Sequence, residues 1–161
     1  MVEDMTTVLL VEKDHDFRMG IARQLMSSYG FIVVEVGFGD ELDELLSSID
    51  VDVAVVGLTI GGKHEGIKLI EKIKNIKPWV PIIVLVPEKM TSLSIEAMRH
   101  GARDDLFVPF DVKELAEKID QLLGKKKTRK LKWKEKWEKI MVSMTFAESG
   151  YTDYAKKILD E

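Results

Sequence analysis

Short apolar runs recur along the first 124 residues of the chain. Five of them are rich in β-branched residues and read TTVLLVE, FIVVEV, DVAVVGL, PIIVLV and DDLFV. Strands with one face in water alternate between apolar and polar residues, and these runs are too continuous for that pattern. They predict short strands that are buried on both faces, as in a parallel sheet.

Between the runs, apolar residues return every three or four positions, which is the period of an amphipathic helix. Asp111 is the expected N-cap of the last helix, because its carboxylate can accept from N–H groups of the first turn. Five β–α units in order predict an α/β fold, a doubly wound five-stranded parallel sheet with helices on both faces. The predicted helices span residues 16–28, 40–48, 66–76, 92–100 and 112–123.

The pattern changes after Gly124, where the run KKKTRKLKWKEK begins. Residues 1–124 hold 13 Lys and Arg against 22 Asp and Glu, whereas residues 125–161 hold 11 against 6. The sign of the net charge therefore reverses at this point. We expect two units, a domain over residues 1–124 and a basic extension over residues 125–161.

The extension carries an apolar stripe at helical spacing on a lysine-rich background. The run ESGYTD is expected to end this helix and start a shorter one, so that the extension is a helical hairpin. A single hairpin cannot bury the stripe by itself, so the stripe is expected to pack on the first domain, on a second copy of the chain or on another protein. A homodimer through the hairpin is our first hypothesis. The stripe consists of Trp133, Trp137, Ile140, Met141 and Met144.

Composition narrows the class of protein. Apolar residues make up 45% and charged residues 32% of the chain, as in soluble globular proteins. The absence of cysteine excludes disulfides and thiolate metal sites. The N-terminal residues are acidic, whereas a signal peptide begins with positive charge, and their apolar stretch is too short to span a membrane. We therefore expect a cytoplasmic protein.

The residues that end the predicted strands are the candidates for chemistry, because parallel sheets bind ligands at their carboxyl edge. Glu12 and Lys13 follow the first strand, Gly57 ends the third, and Val86 and Val108 end the fourth and fifth. Gly57 is required either because its φ is positive or because a neighbouring side chain packs against it. Glu12 is expected to pair with Lys13, with metal binding as the alternative. Val86 and Val108 are expected to fill the core.

Four segments and their spacing resemble the receiver domains of two-component response regulators. They are VLLVEKDHDF, DVAVVGL, PIIVLV and EAMRHGARDDLFVPF, and the resemblance covers residues 6 to about 123. It implies a flavodoxin-like fold of the CheY type. It also implies a site in which acidic residues after the first strand hold Mg²⁺, an aspartate ending the third strand accepts a phosphoryl group, and a Thr or Ser and a Lys bind its oxygens.

Among the residues at the positions of that phosphoryl-acceptor site, only Glu12 has the type of side chain that the family uses, an acidic one. Gly57 cannot be phosphorylated, and the ammonium of Lys13 repels a divalent cation. Asp52 cannot replace the acceptor, because five residues of strand place it roughly 16 Å from the carboxyl edge. The resemblance therefore implies a degenerate pseudo-receiver with no catalytic residue and no bound Mg²⁺. We expect it to act as a protein–protein interaction module in phosphorelay signal transduction and not as an enzyme.

The resemblance also implies where a protein partner docks. In receivers the docking surface is built from the fourth helix, the fifth strand and the fifth helix. Asp105 replaces the switch aromatic of the family on the fifth strand, and Phe107 follows two residues later. These two residues, with the apolar stripe of the extension, are the candidate interaction surface.

Two other functions fit parts of the sequence. The first is binding of a small ligand or nucleotide at the carboxyl edge, with Glu12, Lys13, Thr59 and the glycine-bearing loop after Gly57 as contacts. The second is contact with nucleic acid through the basic run of the extension, in which Trp133 lies among lysines. The acidity of residues 1–124 disfavours the second function, and membrane contact is disfavoured further.

Overall fold

The computed structural model describes residues 5–37, 42–58 and 64–124. The predicted hairpin over residues 125–161 lies outside the described residues, as do Asp40 and Thr59. The helices and strands of the described residues alternate along the chain. They are β1 (Thr7–Val11), α1 (His15–Tyr29), β2 (Ile32–Val36), α2 (Leu42–Ser48), β3 (Val53–Gly57), α3 (Glu65–Ile76), β4 (Ile82–Val86), α4 (Thr91–Arg99), β5 (Asp104–Phe107) and α5 (Val112–Leu122).

The strands form one parallel sheet in the order β2-β1-β3-β4-β5. The predicted α/β fold is therefore confirmed. The strand order reverses between β1 and β3, which lie side by side at the centre of the sheet. In folds of this type the carboxyl ends of the two strands at the reversal form the usual ligand-binding crevice.

Two apolar layers cover the sheet. Helices α1 and α5 pack on one face, and α2, α3 and α4 pack on the other. Every residue of β3 and of β4 is buried, which explains why their sequences show no polar alternation. Within β1, Leu10 faces the first layer, whereas Leu9 and Val11 face the second.

The helix ends follow local hydrogen bonds. Helix α1 begins one residue before its predicted start, because the carboxylate of Asp14 accepts from the backbone N of Phe17 at 2.9 Å. It ends at Tyr29 and is capped by Gly30, whose φ of 70° is favourable for glycine. Asp111 is the N-cap of α5, as predicted, and accepts from the backbone N of Lys113 at 2.9 Å. Among the described helices, none combines the length and the hydrophobicity needed to cross a membrane.

Candidate functional site at the carboxyl edge

The sheet brings the predicted site residues to one edge. The register pairs Val11 with Val56, Gly57 with Leu85 and Val86 with Phe107, so β1, β3, β4 and β5 all end there. Glu12, Gly57, Val86 and Val108 therefore lie along one edge of the sheet, as the sequence predicts. Asp52 lies at the opposite edge, where its carboxylate accepts from the backbone N of Thr7 at 2.7 Å.

Gly57 is explained by the side chain of Glu12. Gly57 is not among the described residues with a positive φ. A Cβ added to it would lie 2.7 Å from Oε1 of Glu12 and 2.9 Å from both Cδ and Oε2. Of the two explanations that the sequence left open, the structure supports the packing one. The Glu12 carboxylate occupies the space that a side chain at position 57 would need.

The carboxylate of Glu12 is buried and bound to its own chain. Glu12 is 4% exposed, and its Oε2 accepts from the backbone N of Lys13 at 2.7 Å. Burial raises the pKa of Glu12 above the ordinary glutamate value, and hydrogen bonds from the backbone N of Lys13 and Asp14 oppose the rise. Lys13 contacts the carboxylate through its backbone N–H, so the expectation that the Lys13 ammonium pairs with Glu12 is wrong. Both residues are described, and the exposed ammonium of Lys13 forms no ion pair with Glu12.

The two valines differ from each other in burial. Val86 is fully buried in the layer that faces α2, α3 and α4, as expected for core filling. Val108 is half-buried, packs at the margin of the other layer and donates its N–H to the carbonyl of Val86 at 2.9 Å. The expectation that Val108 fills the core is therefore wrong in degree, because β5 is an edge strand and its end is partly open to water. Neither side chain can bind a phosphoryl oxygen.

Arg18 is a residue of this edge that sequence reasoning missed. Its Nη1 donates to the carbonyl of Glu12 at 2.8 Å, and its Nε donates to Oε1 of Glu35 at 3.2 Å. Its Nη2 lies 3.0 Å from Nδ1 of His15. Burial raises the pKa of Glu35, and the guanidinium of Arg18 opposes the rise. The guanidinium therefore joins α1 to the ends of β1 and β2. Its contact with Glu35 could not be predicted without the strand order, which places β2 beside β1.

The chemistry available at the edge is limited. Within the described ranges, no three His, Asp or Glu side chains lie close enough together to hold a metal ion. Thr59, one of the contacts expected for a small ligand, lies outside the described residues. The described part of the edge supplies the buried carboxylate of Glu12, bound to backbone N–H groups, the half-buried carboxylate of Glu35, bound to Arg18, and no nucleophile at position 57.

A second group of residues lies on the side of the domain formed by α4, β5 and α5, which we call the β5 face. The carboxylate of Asp105 is bound within the domain, because its Oδ2 accepts a hydrogen bond from the hydroxyl of Ser94 on α4. Phe107 is 38% exposed, consistent with its predicted place on the surface.

Sequence reasoning missed Ser94 and the outward residues Met90, Ile95 and Met98, which are 37%, 49% and 37% exposed. Ile95 and Met98 lie three residues apart on α4, opposite its buried residues, and this spacing was the available signal. The stripe of the extension, Trp133, Trp137, Ile140, Met141 and Met144, lies outside the described residues.

Residues 8–120 match the family model of the response regulator receiver domain. This chain belongs to that family. Receiver domains are signalling modules of two-component systems, and response regulators interact with other signalling proteins. The resemblance found in the sequence is thereby confirmed.

Individual relatives support the same assignment. The regulatory protein VirG of Agrobacterium tumefaciens is 30% identical over 118 residues, which are 73% of this chain and 43% of VirG. A cyclic di-GMP phosphodiesterase of Thermotoga maritima is 30% identical over 151 residues, 92% of this chain and 40% of that protein. This chain thus spans less than half the length of either relative.

A solved structure agrees with the fold. The CheY-like receiver domain protein of Methanospirillum hungatei JF-1 aligns with a TM-score of 0.67 at 20% identity, covering 74% of this chain and 94% of that one. The fold is accordingly the flavodoxin-like fold of CheY.

Proposed function

We propose that this domain is a pseudo-receiver, which is not phosphorylated and acts as a protein–protein interaction module in cytoplasmic two-component signalling. The observation that carries the proposal is the pair of Gly57 and Glu12. The acceptor position has no side chain, and a buried carboxylate from the neighbouring strand fills its space.

The chemistry of phosphoryl transfer supports this proposal. An acyl phosphate forms when a carboxylate attacks, a divalent cation neutralises the phosphoryl oxygens and a fixed cation stabilises the transferred group. Position 57 offers no carboxylate, and Val86 and Val108 offer neither a hydroxyl nor an ammonium. The exposed Lys13 adds positive charge where a metal ligand is needed. We therefore propose that the domain binds no Mg²⁺ and catalyses no reaction.

The β5 face is the proposed docking surface for another signalling protein. Apolar side chains are exposed at the N-cap of α4 (Met90), on α4 itself (Ile95 and Met98) and on β5 (Phe107). Exposed apolar side chains grouped on one side of a domain are typical of protein interaction sites. We also propose that two copies of the chain associate through the apolar stripe of the extension. Light scattering of the intact chain beside a variant with Trp133→Ser and Trp137→Ser tests this, and a monomer in both cases would contradict it.

Phosphorylation with a small donor tests the central proposal. The intact chain is incubated with acetyl phosphate and Mg²⁺, and its mass is measured beside that of an active receiver. We expect no added phosphoryl group on the native chain.

A matched variant rebuilds the site in the same fold. It combines Gly57→Asp with Glu12→Asp, Lys13→Asp, Val86→Thr and Val108→Lys, and we expect it to accept phosphate. A stable phosphoryl group on the native chain would contradict the proposal.

A further inference from the structure

We propose that side-chain links made by β5 hold the β5 face in one arrangement, so that the docking surface is present without any phosphoryl input. This inference rests on the proposed function and concerns its regulation. It is carried by two consecutive acidic residues of β5, each bound to a different helix.

The first link joins β5 to α4. Ser94 is 4% exposed and lies on the inner side of α4, beside the buried Leu93. Its hydroxyl donates to Oδ2 of Asp105. A hydrogen bond to a charged acceptor is stronger than one between neutral groups, and a buried hydroxyl that loses its partner is costly. The link therefore favours one position of α4 relative to the sheet.

The second link joins β5 to α5. The Nζ of Lys118 lies 3.2 Å from Oδ1 and 3.1 Å from Oδ2 of Asp104, and both side chains are less than a third exposed. Oδ1 of Asp104 also accepts from the backbone N of Asp105 at 2.8 Å. Successive residues of a strand point to opposite faces, so Asp104 and Asp105 reach the helices of opposite layers. The edge strand is thereby tied to both flanking helices.

The first link also fixes the apolar groups of the docking surface. Ile95 follows Ser94 directly, and Phe107 lies two residues after Asp105, on the same face of the strand. A shift of α4 along β5 would separate Ser94 from Asp105 and move Ile95 relative to Phe107. The distance between the exposed side chains of Ile95 and Phe107 therefore depends on the hydrogen bond between Ser94 and Asp105.

A double-mutant cycle with hydrogen exchange tests the first link in the full chain. The variants are Ser94→Ala, Asp105→Ala and the double variant, and the readout is exchange of the amides of residues 95–99. We expect each single variant to accelerate exchange about fivefold or more, and the double variant to add little, because one shared contact is lost in each case. Ser94→Thr and Asp105→Asn keep a donor and an acceptor, and should stay within about twofold of the native rate.

Amides of β1 and β3 serve as the internal reference. If Ser94→Ala accelerates exchange there as well, the comparison of Asp105→Ala with Asp105→Asn decides the question, because it leaves the buried position 94 unchanged. Unchanged exchange in α4, or effects of the two single variants that multiply in the double variant, would overturn the inference. The acetyl phosphate experiment is independent. If the native chain is phosphorylated and the cycle shows coupling, the proposed function is refuted and the link between Ser94 and Asp105 stands. If the native chain is not phosphorylated and the cycle shows no coupling, the link alone is refuted.

Discussion

The carboxyl edge and the β5 face use their acidic side chains in different ways. At the carboxyl edge, Glu12 binds the backbone of the residue that follows it and fills the space beside Gly57. On the β5 face, Asp104 and Asp105 bind donors from the helices that follow and precede β5, 14 and 11 residues away in the chain. The first arrangement closes a site, and the second fixes the positions of helices around an exposed surface.

Under the proposed function, this difference is what lets a receiver lose its chemistry and keep a docking surface. At the carboxyl edge Val86 is fully buried and Val108 is half-buried. The apolar side chains of the β5 face, such as Ile95 and Phe107, are exposed and lie beside groups that are held by hydrogen bonds. The docking surface that we propose is therefore on the β5 face and not at the carboxyl edge.

The substitution Gly57→Asp should have the largest effect on this comparison. The new carboxylate would need the space of the Glu12 carboxylate, so two like charges would compete for one buried position. We expect the free energy of unfolding to fall by about 3–5 kcal/mol. Urea denaturation near neutral pH measures the change. The double variant with Glu12→Ala should recover most of it, and a single variant within about 1 kcal/mol of the native chain would show that the site is open.

Gly57→Ala should change the sign of its effect with the residue at position 12. In the native chain the added Cβ lies within 2.9 Å of the Glu12 carboxylate oxygens, which can move away only by giving up the hydrogen bond from the backbone N of Lys13, and we expect a loss of about 1 kcal/mol. In a Glu12→Ala background that crowding is gone, and alanine in a strand is favoured over glycine by up to about 1 kcal/mol. Urea denaturation of the four chains gives the coupling directly. Equal effects of Gly57→Ala in both backgrounds would contradict the packing explanation.

The fold and the composition of the carboxyl edge could be predicted because both depend on local pattern. Continuous apolar runs such as DVAVVGL identify buried strands, and their last residues must meet at one edge of a parallel sheet. The lack of a carboxylate at position 57 and of a hydroxyl at position 86 can be read directly from the residue types in the sequence.

Contacts between side chains of different elements could not be predicted. The reach of Glu12 into the space of Gly57 depends on the adjacency of β1 and β3, which only the strand order supplies. Ser94 and Asp105 belong to different elements, and nothing in either local pattern indicates that they meet. The partial exposure of Val108 follows from its place at the end of an edge strand.

Replacing each valine by threonine compares the two sides of the carboxyl edge. At Val86 the new hydroxyl would be buried with no side chain placed to bind it, and we expect the free energy of unfolding to fall by about 1–3 kcal/mol. At the half-buried Val108 water can reach the hydroxyl, so the loss should stay below about 1 kcal/mol. Urea denaturation of the two variants side by side measures the difference. Equal losses would mean that the two positions are equally closed.

Glu12→Gln should give the smallest effect, and one that depends on pH. Burial raises the pKa of Glu12 in the folded chain above the ordinary value of 4.5, so the folded state takes up the proton at a higher pH than the unfolded state does. Ionised Glu12 therefore opposes folding above the raised pKa, and this opposition vanishes as the pH falls toward 4.5. The amide of glutamine has the same shape and never ionises.

The stability of Glu12→Gln relative to the native chain should thus be highest near neutral pH and decline as the pH falls through that window. Urea denaturation of both chains at several pH values between about 7 and 4 measures the difference, in which the other carboxylates cancel. A difference that stays constant with pH would show that the carboxylate is well solvated, and that the space beside Gly57 is accessible to water. A declining difference would support a closed carboxyl edge, in contrast to the exposed apolar groups of the β5 face.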